Sequence, residues 1–376
     1  MLRDSARRFV LEHYRIEQRR AVSKTELGFS LEHWRSMSDL GWLALAVPEE
    51  LGGLGCSFVE LALLLEEFGR GLVLEPYISS AVVCGHILDK CENAPARAAT
   101  LSAMAEGRRR LALAHQESAQ RYELMPVSVE AKREDEGFRL NGVKTLVLDA
   151  PSADHFIVSA SVEGEEDFSL FLVDRAAAGV KLEAYPLIDD SRAADMALEN
   201  VLVPRSAVLT GPARSRRVLE EALDRATLAC AAEALGAMEA VLQLTADYLK
   251  IRVQFGQPLG KLQALQHRMA EMFVEVQEVR SILYCGISQL NADSAVRGPV
   301  ISAAKLVTLE AGRIVGSQGV QLHGGIGMTE EYAMGHYYKK LLAFEKTYGD
   351  GDWHAERLAR SRHFEQTLEP NVPAFP

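Results

Sequence analysis

Residues 245–272 read TADYLKIRVQFGQPLGKLQALQHRMAEM, and this stretch decides the fold. Gly256 and the run Pro258-Leu259-Gly260 interrupt two long helical patterns, since proline removes a helix donor and glycine ends helices easily. Upstream, residues 213–255 contain no proline and one glycine, Gly236. Leu228, Ala231, Leu235, Met238, Leu242, Thr245 and Leu249 step by three and four residues. Downstream, Leu262, Leu265, Met269, Met272, Val276, Val279 and Leu283 repeat that stepping. Two such seams joined by a short turn predict antiparallel helices packed as in a four-helix bundle. The stripes are packing, not a cofactor box.

Working toward the N-terminus, the rhythm changes twice. From about 109 to 208 the period is two: Val127, Val129 and Ala131 alternate with polar neighbours, and Val180 and Leu182 begin another such run. Asn141-Gly142 between FRL and VKTLVL predicts a hairpin, and HFIVSASV–EGEED–FSLFLVD predicts a second. Strands with short turns and no helical pattern between them predict an antiparallel sandwich or barrel. From 1 to 108 the pattern is helical again. Leu61, Leu64, Leu65 and Phe68 mark one face of a helix that should stop at Gly69 and Gly71, while Pro48 and Gly52-Gly53 mark a loop. The expectation is an α+β chain in three parts: a helical domain at 1–108, a β-domain at 109–208 and a helical bundle at 209–376.

Composition narrows the function. Lysine and arginine total 41 against 52 acidic residues, a net charge of −11. That balance argues against nucleic acid as the main partner, because phosphate neutralisation needs a basic face. The basic group Arg214, Arg216, Arg217 reads as a solvated helix start. Five scattered cysteines without a CxxC pair support neither a zinc ribbon nor a dithiol site. The N-terminal MLRDSARRFVLEHYR has no apolar core and carries acidic residues. With no apolar run long enough for a membrane span, a cytoplasmic protein is expected.

Three glycine-rich or turn motifs remain. HGGIG at 323–327 follows a helical stretch, not a strand, so a dinucleotide-fold reading fails on context. Its adjacent glycines mark backbone closely approached by another helix or by a ligand. Asp350-Gly351-Asp352 fails as a calcium loop, because His354 and Ala355 stand where a ligand and a glycine are needed, and no metal site is expected. Arg252-Val253-Gln254-Phe255-Gly256, with Gln263, gathers an arginine, an aromatic and amides at a turn. Such a set suits a planar, phosphorylated ligand or is an ordinary polar corner between helices.

Arg252, Phe255-Gly256 and Gln263 at these spacings, with Gln321, Gly324-Gly325, Gly327 and Glu331-Tyr332, resemble the acyl-CoA dehydrogenase family along essentially the whole chain. The resemblance implies noncovalent FAD bound between the subunits of a dimer or tetramer. Arg252 would reach the pyrophosphate from the neighbouring protomer, with Phe255 near the adenine end and Gln254 also binding the cofactor. Gln263 and the segment through Gln321, Gly324 and Gly325 would hold diphosphate and adenosine, and the turn at Asp350 would touch the flavin. It also implies an acyl-CoA substrate and an acceptor of the electron-transfer-flavoprotein type.

In that family a glutamate removes the α-proton of the thioester while flavin takes the β-hydride. The usual position of the glutamate holds Tyr348 here, and the alternative position holds Ala226, which leaves Asp350 as the nearby carboxylate. Lys144-Thr145-Leu146-Val147 stands where the family has Lys-Trp-Ile-Thr, and Gln116-Glu117-Ser118 where it has Thr-Glu-Pro. These departures resemble the small-subunit branch of bacterial two-gene enzymes of the pimeloyl-CoA dehydrogenase kind, which act on dicarboxylic, aromatic or steroid-derived acyl-CoAs. The expectation is an FAD-dependent subunit forming a 2,3-enoyl-CoA, with its base supplied by a partner chain. Alternatives are a base-lacking, mainly structural subunit of a hetero-oligomer and a flavin monooxygenase on the same fold.

Overall fold

The computed structural model describes residues 1–126 and 128–361; Val127 and the end of the expected bundle domain lie outside them. The chain forms two compact units, one of residues 1–64 and 73–229, the other of residues 65–72 and 230 onward.

The first unit begins with short helices: α1 (Leu2–His13), α2 (Ile16–Ser23), α3 (Leu31–Asp39), the start of α4 (Phe58–Gly71), α5 (Gly85–Asp89) and α6 (Ala94–Ala105). Ser30 and Asn93 cap α3 and α6 by accepting from the amides of His33 and Ala96 at 3.2 Å. Glu75 ties this region together. Its carboxyl receives the Tyr14 hydroxyl and the Ser30 amide, and His33 Nδ1 lies 3.4 Å away. Burial pushes the Glu75 carboxyl up to about 8.

The strands come next: β1 (Leu111–Ala114), β2 (Glu130–Glu134), β3 (Gly137–Leu148), β4 (His155–Val162), β5 (Phe168–Asp174), β6 (Val180–Pro186), β7 (Arg192–Pro204) and β8 (Val208–Thr210). They make one sheet in the order β6-β7-β3-β2-β4-β5-β8, with β1 also beside β4. The expected hairpin joining β4 and β5 is present, with His155 opposite Asp174. The sheet is not wholly antiparallel, because β4 runs parallel to both β1 and β2. Phe156, Phe171, Val129, Leu140 and Met196 fill its core.

Asn141-Gly142 does not form a hairpin. β3 runs straight through it, and the tight turn lies at Asp135-Glu136, where Glu134 pairs with Gly137. The dipeptide sits opposite a bulge in β7, where Leu140 pairs with Val201 and Gly142 with Leu198. Asn141 Oδ1 accepts from the Asn200 amide at 2.8 Å. A Cβ on Gly142 would lie 2.4 Å from the Ser128 carbonyl, and its φ is +138°. Close backbone approach, not a reversal, requires the glycine.

The second unit is helical. It takes the end of α4, most of α7 (Pro212–Ile251), α8 (Gln263–Gln289), α9 (Ser294–His323), α10 (Ala333–Lys346) and α11 (Gly351–Ala359), with a two-strand hairpin of β9 (Val253–Gln254) and β10 (Gln257–Pro258). The predicted seams hold in large part: Leu235, Met238, Thr245 and Leu249 are buried, as are Met272, Val276, Val279 and Leu283, while Leu242, Leu262, Leu265 and Met269 are half-buried. Among the described residues α7 is the one helix that passes a length-and-composition test for a membrane span, and 72% of that window is buried. Gly69 does not stop α4. A Cβ there would lie 1.8 Å from the Glu233 carbonyl, and one on Gly236 would lie 1.7 Å from the Glu66 carbonyl. The glycine is needed for a helix crossing.

Candidate active site

One end of the second unit gathers most of the expected cofactor residues. The tip of the β9–β10 hairpin is Phe255-Gly256, with φ of +54° and +77°, the left-handed pair that closes a two-residue turn. It leaves Phe255 86% exposed. His323, at the end of α9, stacks 4.6 Å from Tyr248 near the end of α7 and lies 5.2 Å from Tyr332. Arg268 on α8 donates to Gln318 on α9 at 3.3 Å. These contacts place Arg252, Gln254, Phe255, Gln263, Gln321, Gly324 and Gly325 at the same end, all facing solvent.

The glycines answer the question of fit to the cofactor. Gly324 has φ +63°, and a Cβ on Gly324 or Gly325 would meet nothing within 4 Å. Packing within this chain therefore does not require a glycine at 325. Side-chain-free backbone bordering open space, beside an exposed guanidinium, side-chain amides and an exposed aromatic face, suits a diphosphate and a planar ring system.

Tyr348 and Asp350 lie elsewhere. They occupy the turn between α10 and α11, where Lys305 of α9 bonds the carbonyls of Phe344 and Thr347 at 2.6 and 2.8 Å. Lys305 and His323 are eighteen residues apart on one helix, about 27 Å along its axis. Asp350 is thus not brought together with the other cofactor residues of its own chain. Its Oδ1 accepts from the Trp353 amide at 3.0 Å and caps α11. Tyr348 is half-buried, with φ +54°, and His354 Nε2 lies 3.1 Å from its carbonyl. Burial holds His354 down to about 3, aided by Lys305. Lys305 is itself pulled down to about 7 by burial, against the pull of Cys230, Glu345 and Asp350.

In the first unit, Gln116-Glu117-Ser118 and Lys144-Thr145-Leu146-Val147 lie side by side. The Thr145 amide donates to the Gln116 carbonyl at 2.8 Å, and Lys144 Nζ lies 2.7 Å from Glu117 Oε1. Lys144 also donates to Ser159 Oγ at 3.1 Å, and Ser159 meets His115 Nδ1 at 2.9 Å. Burial lowers Lys144 to about 8, with Glu117 opposing, and lowers His115 to about 3. Leu146 adopts φ +50° in a bulge of β3, its amide donating to Asp195 Oδ1 at 3.0 Å. Ala226 is buried.

Lys305, Ser302, His354, His115 and Ser159 were not singled out by the motifs. Lys305 could have been found from pattern alone: it falls on the stripe Ile301, Lys305, Thr308, Gly312, Val315, where a lone lysine needs a buried partner.

Family models described as acyl-CoA dehydrogenase N-terminal, middle and C-terminal domains match residues 1–108, 112–201 and 216–362. The acyl-CoA dehydrogenase IpdE2 of Mycolicibacterium smegmatis is 29% identical, covering 90% of this chain and 91% of its own. The human mitochondrial short-chain specific acyl-CoA dehydrogenase is also 29% identical, over 91% of this chain and 84% of its own. A solved structure of the ChsE4-ChsE5 complex from Mycobacterium tuberculosis is similar at a TM-score of 0.87, with 27% identity and coverage of 98% and 97%. With three successive domain models matched in order and relatives aligned over nearly its full length, the chain belongs to the acyl-CoA dehydrogenase family.

Proposed function

We propose that this chain is the FAD-binding subunit of an acyl-CoA dehydrogenase that converts a CoA thioester to its 2,3-enoyl form. The observation that carries the reading is the exposed set Arg252, Phe255, Gln263 and Gln321 beside Gly324 and Gly325. In this reading Arg252 binds the pyrophosphate, Gln254 and Phe255 lie at the same cofactor face with Phe255 toward the adenine end, and Gln263 with the 321–325 segment holds the diphosphate and adenosine. FAD supplies the two-electron acceptor for the β-hydride. The α-proton leaves to a carboxylate, so both C–H bonds are accounted for and the thioester is retained.

The separation of Asp350 from that set supports an oligomer, dimer or tetramer, in which one chain's hairpin end serves the site bearing another chain's 347–350 turn. Tyr348 and Ala226 at the two family base positions favour a hetero-oligomer whose partner brings the glutamate, as does similarity to a protein solved as a ChsE4-ChsE5 complex. Asp350, already an N-cap, is the local alternative for the base. The same observation favours a second reading, a mainly structural subunit that completes its partner's site. The domain limits 1–108, 109–208 and 209–376, a cytoplasmic location and an electron-transfer-flavoprotein-type acceptor belong to this proposal.

The test is flavin content. The purified protein, alone or with a co-purifying chain, should be yellow. Arg252→Ala removes charge-assisted hydrogen bonds worth about 1.5–3 kcal/mol each, lowering occupancy by more than about tenfold. A colourless preparation that takes up no added FAD overturns the reading.

A further inference from the structure

Helix α10 ends at Lys346, and a helix end leaves its last carbonyls without intrahelical donors. Here a side chain from α9 meets them. Lys305 Nζ donates to Phe344 O and Thr347 O and lies 3.7 Å from the centroid of the Phe344 ring. The next carbonyl, of Tyr348, faces His354 Nε2 at 3.1 Å. A carbonyl only accepts, so that nitrogen carries the hydrogen, and His354 Nδ1 accepts from Ser302 Oγ at 3.1 Å. Ser302 and Lys305 stand one turn apart on α9, so one helix face governs the whole turn. The turn is held against local preference. Tyr348 is left-handed without being glycine, and a Cβ on Gly349 would lie 2.5 Å from His354 Nε2.

We propose that Lys305 is a positioning residue: by holding the Phe344 and Thr347 carbonyls it fixes the 347–350 turn and the direction in which residue 348 leaves the backbone. Its importance for catalysis rests on the acyl-CoA dehydrogenase reading; its hold on the turn does not. Lysine suits the task chemically. An ammonium has three N–H donors and a neutral amine two, so both carbonyls stay bonded in either protonation state. Methionine has a similar length and no donor.

The test uses the flavin-loaded protein with any chain that co-purifies. Hydrogen exchange over residues 344–354 should be about tenfold faster in Lys305→Met than in wild type, with residues 306–318 of α9 unchanged. Equal exchange overturns the proposal. In a Tyr348→Glu background, Lys305→Met should slow flavin bleaching by an acyl-CoA about tenfold or more, while affinity for that acyl-CoA moves less than about threefold, below both melting temperatures. Lys305→Gln, which keeps two donors on a shorter stem, should recover part of the rate. No loss of rate, or a loss matched by affinity, overturns positioning. Should Lys305→Met fail to fold, Lys305→Gln carries both measurements, with smaller changes expected in the same direction. If Tyr348→Glu never bleaches, the dehydrogenase reading loses support and the exchange measurement still decides Lys305.

Discussion

Lys144 Nζ and Glu117 Oε1 lie 2.7 Å apart with both side chains shut away from solvent. Glu117 also accepts from the amides of Ser128 and Val129 at 2.6 and 3.2 Å, so one carboxylate joins the 116–118 turn, the entry to β2 and the β3 lysine. Breaking a buried pair from one side leaves an uncompensated charge, at a cost of about 3–5 kcal/mol. Glu117→Gln should lower stability by that order in chemical denaturation. Adding Lys144→Met should recover part of it, and failure to recover any would show that the amide contacts dominate.

Glu75 should limit stability at neutral pH. Its folded carboxyl titrates near 8 against 4.5 for the ordinary group. Between those values the unfolded chain has released the proton and the folded chain keeps it, so stability falls as pH rises through this window. Glu75→Gln mimics the protonated form. At about 1.4 kcal/mol per pKa unit, the variant should be more stable than wild type by roughly 3 kcal/mol at pH 7, and the two should converge near pH 4.5. Denaturation curves at both pH values decide it, and an equal gain at both would refute the linkage.

Acid should act through His354. Its folded value near 3 lies below the ordinary 6.5, so its contribution is complete above pH 6.5 and is lost as pH falls toward 3. His354→Gln keeps a donor for the Tyr348 carbonyl and cannot titrate. Its stability should fall less steeply with acid, by up to about one proton in the slope. Identical slopes would exclude His354 as a contributor.

Restoring the carboxylate should change the chemistry. General-base catalysis contributes about 10²–10⁴-fold, so Tyr348→Glu should raise the rate of anaerobic flavin reduction by an acyl-CoA about 10²-fold or more over the wild-type chain alone. Fast bleaching by the unaltered lone chain would instead show that it carries its own base, and loss of that bleaching in Asp350→Asn would identify it.

The helices were legible because their seams are long and regular: α7 and α8 bury most of the residues that the three-four stepping selects. The β-domain was less so. Alternation counted from buried Leu140 puts Lys144 inside and Val143 outside, as found, and then calls for Leu146 and Leu148 inside, yet Val147 is the buried residue. An extra β3 residue between Lys144 and Val147 shifts the face that each later residue takes, and a one-residue shift inverts a strand. Gly142 and Gly69 were read as local punctuation, whereas the backbone facing each comes from a segment distant in sequence. The cofactor motifs were visible as spacing. The buried groups around the 347–350 turn were not, because Lys305, Ser302 and His354 meet only through the packing of α9 against α11.

The Gly69–Glu233 and Gly236–Glu66 contacts work as a two-pin key. Each helix carries a carbonyl and a glycine three residues apart, at 66 and 69 and at 233 and 236. One residue inserted between either pair would rotate the remainder of that helix by about 100°, swinging the glycine away and turning a side chain toward the opposite carbonyl. Loop insertions elsewhere leave this untouched, but the two triplets count as a single unit for heredity and for engineering. A chimera assembled from related chains should therefore keep both three-residue spacings intact, even where every swapped residue is itself conservative.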